Sequence, residues 1–471
     1  MRSAILSEIR ATLALAVPLA AANLSQIAMS VIDTVMVGGL GAVPLAAIGL
    51  GGSLYFTLFV VCQGVLEAVT PLAAFAIGAR DAAAAGRIAG SGLLLAALLA
   101  PAMIVALMIV GPILGLIGYD RALTVEIDRF LHAMAWGVPA VLASAVLRSL
   151  FAALGRPQIV MIVLACSVPL RVGFDWALIF GHLGVAPLGL VGCGYAVTIS
   201  HWLTLAAFAG ILLLARPGAA ALRLHASATE LAANIRRIIG LGLPIGGLRA
   251  LEVGVFACSA ALMGLFGADA LGAHQIAINC ASVTWMVPLG IAQAATVRIA
   301  AERGASAALA ARRAAAVALL IATGFMSVAA VVLWTAPLSI VSAYVSTSDP
   351  ANRAMVDFAV QFLAIAALFQ VVDGVQVVAA GALRGYQDTK VPMLYAGLGY
   401  WGVGFVGGWA LAFPLGLGPI GMWSGFVLGL ATVAALLTMR LWRQSHMEAA
   451  NVIPAQSPDQ VRGGTHEHGW C

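Results

Sequence analysis

The chain has 471 residues, of which 62% are hydrophobic and only 9% charged, with a net charge of +5 and a mean hydropathy of +1.04. Soluble globular domains carry about 25% charged residues, so the composition excludes an ordinary soluble enzyme. The basic balance does not point to nucleic acid either, because the cations are spaced along the chain instead of gathered in one patch.

Apolar runs of membrane-spanning length, which need about 20 residues each, recur from Ala11 to Trp442. They predict an all-α polytopic membrane protein of about twelve helices, roughly at 11–37, 46–77, 90–117, 130–153, 159–181, 189–214, 236–263, 271–299, 313–344, 355–382, 391–412 and 419–441. Barrel strands would instead alternate over about 10 residues. The start of the chain, Arg2 to Arg10 before an apolar run, imitates a signal peptide. That run continues well past Ala22, so it reads as a retained first span.

Arg and Lys fall on alternate loops. Nineteen of them, from Arg2 and Arg10 to Arg440, Arg443 and Arg462, lie on one side, against Arg121, Arg129 and Arg353 on the other. The positive-inside rule then makes both termini cytoplasmic and the number of spans even. Arg171 and Arg249 remain inside predicted spans. The six cysteines form no close pair of the metal or redox kind. Those within apolar segments read as small packing residues.

Shifting the chain by 226 positions aligns its halves without a gap: Pro18 meets Pro244, Gly64 meets Gly290, Thr70 meets Thr296 and Gly78 meets Gly304. The repeat unit holds an even number of spans, so the halves share one orientation, and sites in such repeats lie near the midplane between them. The expected division is an N-terminal six-helix lobe at 1–215, a cytoplasmic linker at 216–235 and a C-terminal six-helix lobe at 236–443. A polar, disordered cytoplasmic tail follows at 444–471. Ser227 to Glu230 has the spacing of a capping box that opens the second half.

An ionised side chain at mid-bilayer costs about 2.5–3.5 kcal/mol on insertion scales, and such groups usually face a bundle interior or a water-filled cavity. Asp33, Glu67, Asp175, Glu252 and Asp373 all lie in predicted spans. In the first span Asn23, Gln26, Ser30 and Asp33 share one helical face. Hydrogen bonding to a neighbouring helix would explain the amides but not the ionisable Asp33. Arg171 and Asp175 stand at i,i+4, and Arg249 and Glu252 at i,i+3, spacings that also suit self-neutralising pairs. Gln275, Asn279 and Ser282 line a face of the eighth span, and Gln370, Asp373 and Gln376 repeat every three residues in the tenth, beside Phe369. Trp285 lies deep enough to line the same polar cavity. Glu67 meets Gln293 under the repeat, which favours a hydrogen-bonding role in packing. The pattern as a whole reads as an ion-coupled transporter.

At this point the residues resemble the MATE (multidrug and toxic compound extrusion) transporters, NorM-type branch. The resemblance rests on Val31-Ile-Asp33-Thr-Val-Met36-Val-Gly38, on Pro244-Ile followed by Glu252, and on Ala273-His-Gln-Ile-Ala-Ile-Asn279. Asp373-Gly-Val-Gln376, Gly381-Ala-Leu-Arg384-Gly385 and Gly189-Leu-Val-Gly192 with Thr198 complete it. The likeness implies two six-helix lobes around a V-shaped cavity in a bacterial inner membrane, and efflux of amphipathic, often cationic drugs by H⁺ or Na⁺ antiport, with no cofactor. It implies ion coupling by Asp33, Asp175, Glu252 and Asp373, and Na⁺, if used, at Glu252 and Asp373. The other cavity residues it points to are Arg171 and Thr198. Two departures weaken the case for Na⁺: Arg171 stands where an Asn is usual, and Phe369 where sodium-coupled relatives have a Tyr. An arginine is always charged and would compete with any cation at Asp175. Acids in apolar surroundings take up protons more readily, which favours H⁺. A monomer is expected.

Two other readings remain. A lipid-linked oligosaccharide flippase would need a cationic cavity for pyrophosphate, whereas this one reads as acidic. A membrane-embedded enzyme would need a nucleophile or metal constellation, and His132, His182, His201 and His274 lack metal-ligand spacing.

Overall fold

The computed structural model describes residues 2–184, 186–214 and 227–452. The first lobe comprises α1 (Arg2–Gly38), α2 (Ala42–Glu67), α3 (Val69–Gly78), α4 (Ala82–Ile117), α5 (Arg121–Ala135), α6 (Val138–Ala153), α7 (Pro157–Phe180) and α8 (Leu190–Leu214). The second comprises α9 (Ala228–Met263), α10 (Ala268–Gly304), α11 (Ala308–Thr335), α12 (Pro337–Val341), α13 (Arg353–Gly385), α14 (Lys390–Ala396), α15 (Val406–Ala412) and α16 (Gly418–Val452). No strand occurs among the described residues.

Several helix starts are capped by side-chain acceptors. Asp81 accepts from the Ala84 N–H at 2.8 Å, and Asp120 from the Ala122 N–H at 2.8 Å. Ser227 and Glu230 form the reciprocal capping box expected of them. Among the described residues ten helical runs are long and apolar enough to cross a membrane, and the α5–α6 pair makes an eleventh. The remaining predicted span, 391–412, is helical throughout but passes between α14 and α15 through a π-helical stretch, Gly397–Phe405.

Two expectations need amending. The fourth span is not one straight helix from 130 to 153, because α5 and α6 meet at 51°. Pro139 supplies no N–H at the start of α6, and Gly137 lets the Thr198 backbone approach so closely that a Cβ there would lie 3.1 Å from it. The chain also does not turn irregular at 444. Helix α16 runs on to Val452, held by a two-point ion pair from Arg303 to Glu448 at 2.8 and 2.9 Å. Most of the inter-lobe linker (215–226) and the tail from 453 onward lie outside the described residues.

Each lobe buries its own hydrophobic cluster, one centred on α2 to α8 and the other on α10, α13 and α16. The 226-residue repeat is visible as a two-fold relation between the lobes. A Cβ on Gly78 would strike Ala301, and one on Gly304 would strike Phe75; these contacts interchange under the repeat shift. The same holds for Gly64 against Gly246 and Gly290 against Ala20. Glycine is needed at these positions because the backbones touch.

All of these contacts lie toward the end of the bundle that carries the arginine-rich loops. The inter-lobe hydrogen bonds among side chains of the described residues lie there too. Arg298 donates to both oxygens of Glu8 at 3.0 and 2.9 Å, Arg384 to Glu67 at 3.1 Å, and Asn234 to Ser91 at 3.3 Å. Beyond the Ala20–Gly290 crossing the two helices carry their polar stripes. Ser30 on α1 and Gln275 and Asn279 on α10 are exposed, with Gln26 and Ser282 half-exposed. The lobes therefore close the V at the arginine-rich end and face each other with polar residues beyond it.

Candidate functional site

In the first lobe, α1 and α7 are joined by a single guanidinium. Arg171 donates through Nη2 to Asp33 at 2.7 Å and through Nε to Asp175 at 3.2 Å. The i,i+4 spacing on α7 brings Arg171 and Asp175 together, while Asp33 arrives from the polar face of α1. Each acid keeps its second oxygen buried without a partner. An oxygen of each acid and the Cys193 sulfur lie within 4.8 Å of one another. The cluster thus holds two carboxylates against one permanent cation, a surplus of one negative charge when both acids are ionised.

The second lobe arranges its charges differently. Arg249 reaches Glu252 at 3.5 Å, and its guanidinium lies over the Trp285 ring, 5.3 Å from the centroid. Asp373, only 8% exposed, has no cation within ion-pair distance among the described residues. It accepts instead from the Gln376 amide at 3.1 Å, and the Gln376 carbonyl accepts from the Tyr400 hydroxyl at 2.8 Å. Gln370 donates to Thr284 at 2.7 Å. Hard cations are held by cages of oxygen ligands, whereas the groups touching Glu252 and Asp373 are a guanidinium and an amide N–H.

Several residues singled out in the sequence lie apart from these clusters. The Thr198 hydroxyl donates to the Ala133 carbonyl at 2.7 Å and so ties α8 to α5. Phe369 is buried against Trp423, with ring centroids 5.8 Å apart, and does not line a cavity. Asn23 is buried at the head of its stripe, with the amide nitrogen unpartnered. The structure also adds residues that the sequence did not flag: Tyr400, Thr284, Cys193 and, as a partner of Glu67, Arg384. Arg384 stands just past the end of the predicted span 355–382, where a cation reads as part of a loop. Its side chain is mostly buried and crosses to the other lobe.

Two similar helical lobes closed at one end, with acids buried between and within them, define a polytopic membrane transporter. The MatE family model matches residues 18–177 and 244–410, and the chain belongs to the MATE family of transporters. It is 41% identical over 446 residues to the multidrug resistance protein NorM of Burkholderia vietnamiensis, covering 94% of this chain and 95% of that one. It is 40% identical over 442 residues to the "Probable multidrug resistance protein NorM" of Mesorhizobium japonicum, covering 93% and 95%. The fold is shared with the eukaryotic MATE transporter AtDTX14, at a TM-score of 0.85 and 21% identity over 96% of this chain and 100% of that one. It is shared also with the Vibrio cholerae MATE transporter VcmN, at a TM-score of 0.83 and 17% identity over 95% and 99%.

Proposed function

We propose that this chain exports amphipathic, predominantly cationic drugs across a bacterial inner membrane by antiport with protons, its arginine-rich end facing the cytoplasm. Export of drugs is supported by the names of the relatives at 40–41% identity. The orientation rests on the distribution of arginines. The single observation that carries the coupling is the charge balance at Asp373. Glu252 is paired with Arg249 and Glu67 with Arg384, which leaves Asp373 as a buried carboxylate with an amide for company. An unpaired buried carboxylate is costly. A proton or a cationic drug relieves that cost in turn, and a site that holds one or the other is what antiport requires. Fixed guanidiniums beside the other acids oppose a bound Na⁺ and tolerate a proton.

Cells lacking other pumps should accumulate less ethidium when they express this chain. In everted vesicles, efflux should follow an imposed pH gradient in Na⁺-free buffer. Asp373→Asn keeps the shape and one acceptor but cannot exchange a proton, so it should insert normally and lose at least nine-tenths of gradient-driven efflux. Strict dependence on Na⁺ at fixed pH, or transport of lipid-linked anions alone, would overturn this reading.

A further inference from the structure

The stretch Gly397–Phe405 is the one place among the described spans where the helix is wound in π form. π-turns inside helices are frequently found at functional sites. Its sequence, Gly-Leu-Gly-Tyr-Trp-Gly-Val-Gly-Phe, places two hydrogen-bonding aromatics side by side among glycines. Adjacent side chains on a helix point in different directions, and here they reach different neighbours. Tyr400 turns to α13 and donates to the Gln376 carbonyl at 2.8 Å; Gln376 in turn donates to Asp373. Trp401 turns to α9 and donates through its indole N–H to the carbonyl of Leu251 at 3.1 Å, the residue before Glu252. One π-helical turn therefore bridges the backbone beside one acid of the lobe and the carboxylate of the other.

The surroundings of this turn differ on its two sides. On one side it runs close against the α16 backbone, Gly404 on Gly429 and, just beyond it in α15, Gly408 on Gly425, with the Val433 side chain seated at Gly399. On the other side a crevice of about 550 Å³ opens between α9 and the turn, lined by Leu251, Met393, Gly397 and Trp401 among others.

We propose that Gln376 and Tyr400 form a buried relay that ties the charge state of Asp373 to the π-turn, and through Trp401 to α9, as positioning residues of transport. The relay rests on the reading of Asp373 as the coupling acid. Its direction follows from donor and acceptor chemistry. An ionised carboxylate only accepts, so Gln376 must present its N–H to Asp373 and its carbonyl to Tyr400, which donates. When Asp373 is neutralised by a proton it becomes a donor. Its other oxygen still accepts, but the amide is no longer confined to one orientation: it gains the alternative of turning its carbonyl to the new O–H and its N–H to Tyr400, which then accepts. The charged groups facing this chain are Glu252 and Arg249 from α9.

The test is a double-mutant cycle read by amide hydrogen exchange over 397–405 in the full-length protein, together with drug efflux kinetics in liposomes. Asp373→Asn, a permanently neutral side chain, should change exchange in the π-turn by about three-fold or more when Tyr400 is present. In the Tyr400→Phe background the same substitution should change nothing further. Tyr400→Phe alone should lower kcat about five-fold with the drug KM unchanged, and Trp401→Phe should do likewise. Additive effects on exchange, or Tyr400→Phe with wild-type turnover, would reduce Tyr400 to a packing residue and overturn the relay. Wild-type efflux by Asp373→Asn would instead sink the coupling reading while the exchange result still decided whether the relay exists.

Discussion

The two lobes descend from one repeat, yet they neutralise their buried acids in opposite ways. In the first, Arg171 spans two helices and grips two carboxylates at 2.7 and 3.2 Å, Asp175 sealed from solvent and Asp33 partly buried. In the second, Arg249 meets one carboxylate at 3.5 Å and rests on Trp285, while Asp373 is left to a chain of neutral hydrogen bonds. A guanidinium keeps its charge throughout. Arg171 therefore clasps α1 to α7 with a charge that cannot change. The second lobe holds an acid with no cation beside it among the described residues. On the proposed coupling at Asp373, the transferable charge belongs to the second lobe, while the Arg171 cluster ties two helices of the first.

Removing the clasp should have the largest effect on folding. Arg171→Met leaves two buried carboxylates facing each other, and breaking a buried pair by deleting one partner costs about 3–5 kcal/mol. The expected result is a steep fall in the yield of monodisperse protein in detergent. Adding both Asp33→Asn and Asp175→Asn, which removes the two charges left without a cation, should restore most of that yield. Normal yield from Arg171→Met alone would mean that the clasp contributes nothing to stability, and the contrast between the lobes would collapse.

Arg249→Met should cost less stability, because its ion pair is longer and its cation–π contact is worth about 0.5–2 kcal/mol. Its consequence should appear in transport. Glu252 then competes with Asp373 for protons, and efflux under a fixed gradient should fall several-fold while the protein still purifies intact. A larger loss of yield than that of Arg171→Met would reverse the assignment of roles.

How far the sequence disclosed this site depended on distance along the chain. The pairs at i,i+3 and i,i+4, Arg249 with Glu252 and Arg171 with Asp175, were legible because helical spacing alone brings them together. So was the repeat, whose matched glycines prove to be the points where the lobes touch. The bond from Arg171 to Asp33 joins residues 138 apart, and that from Arg384 to Glu67 joins residues 317 apart. No periodicity links such positions. Arg384 was hidden in a second way, since loop cations and buried cations look alike when only their place near a span end is known. The π-turn was hidden because Gly397–Phe405 reads as an ordinary apolar span, and the winding of a helix leaves no mark on hydropathy.

Glu67 gives the smallest expected effect and sharpens the comparison from between the lobes. It accepts from Arg384 across the closed end at 3.1 Å and from Gln63 at 3.1 Å on its own helix. A glutamine at this position keeps the carbonyl acceptor for Arg384 and loses only the charge, which lowers the worth of that bond by about 1 kcal/mol. The repeat supplies a precedent, since Gln293 fills the matching place in the other half. Glu67→Gln should therefore melt slightly lower in detergent and retain more than half of wild-type efflux. Glu67→Ala should do worse, because it leaves the Arg384 guanidinium mostly buried beside Arg249 with no acceptor from the first lobe. Complete loss of transport in Glu67→Gln, with folding intact, would show that its charge takes part in exchange. The coupling acids would then extend across the lobe boundary instead of residing in the second lobe.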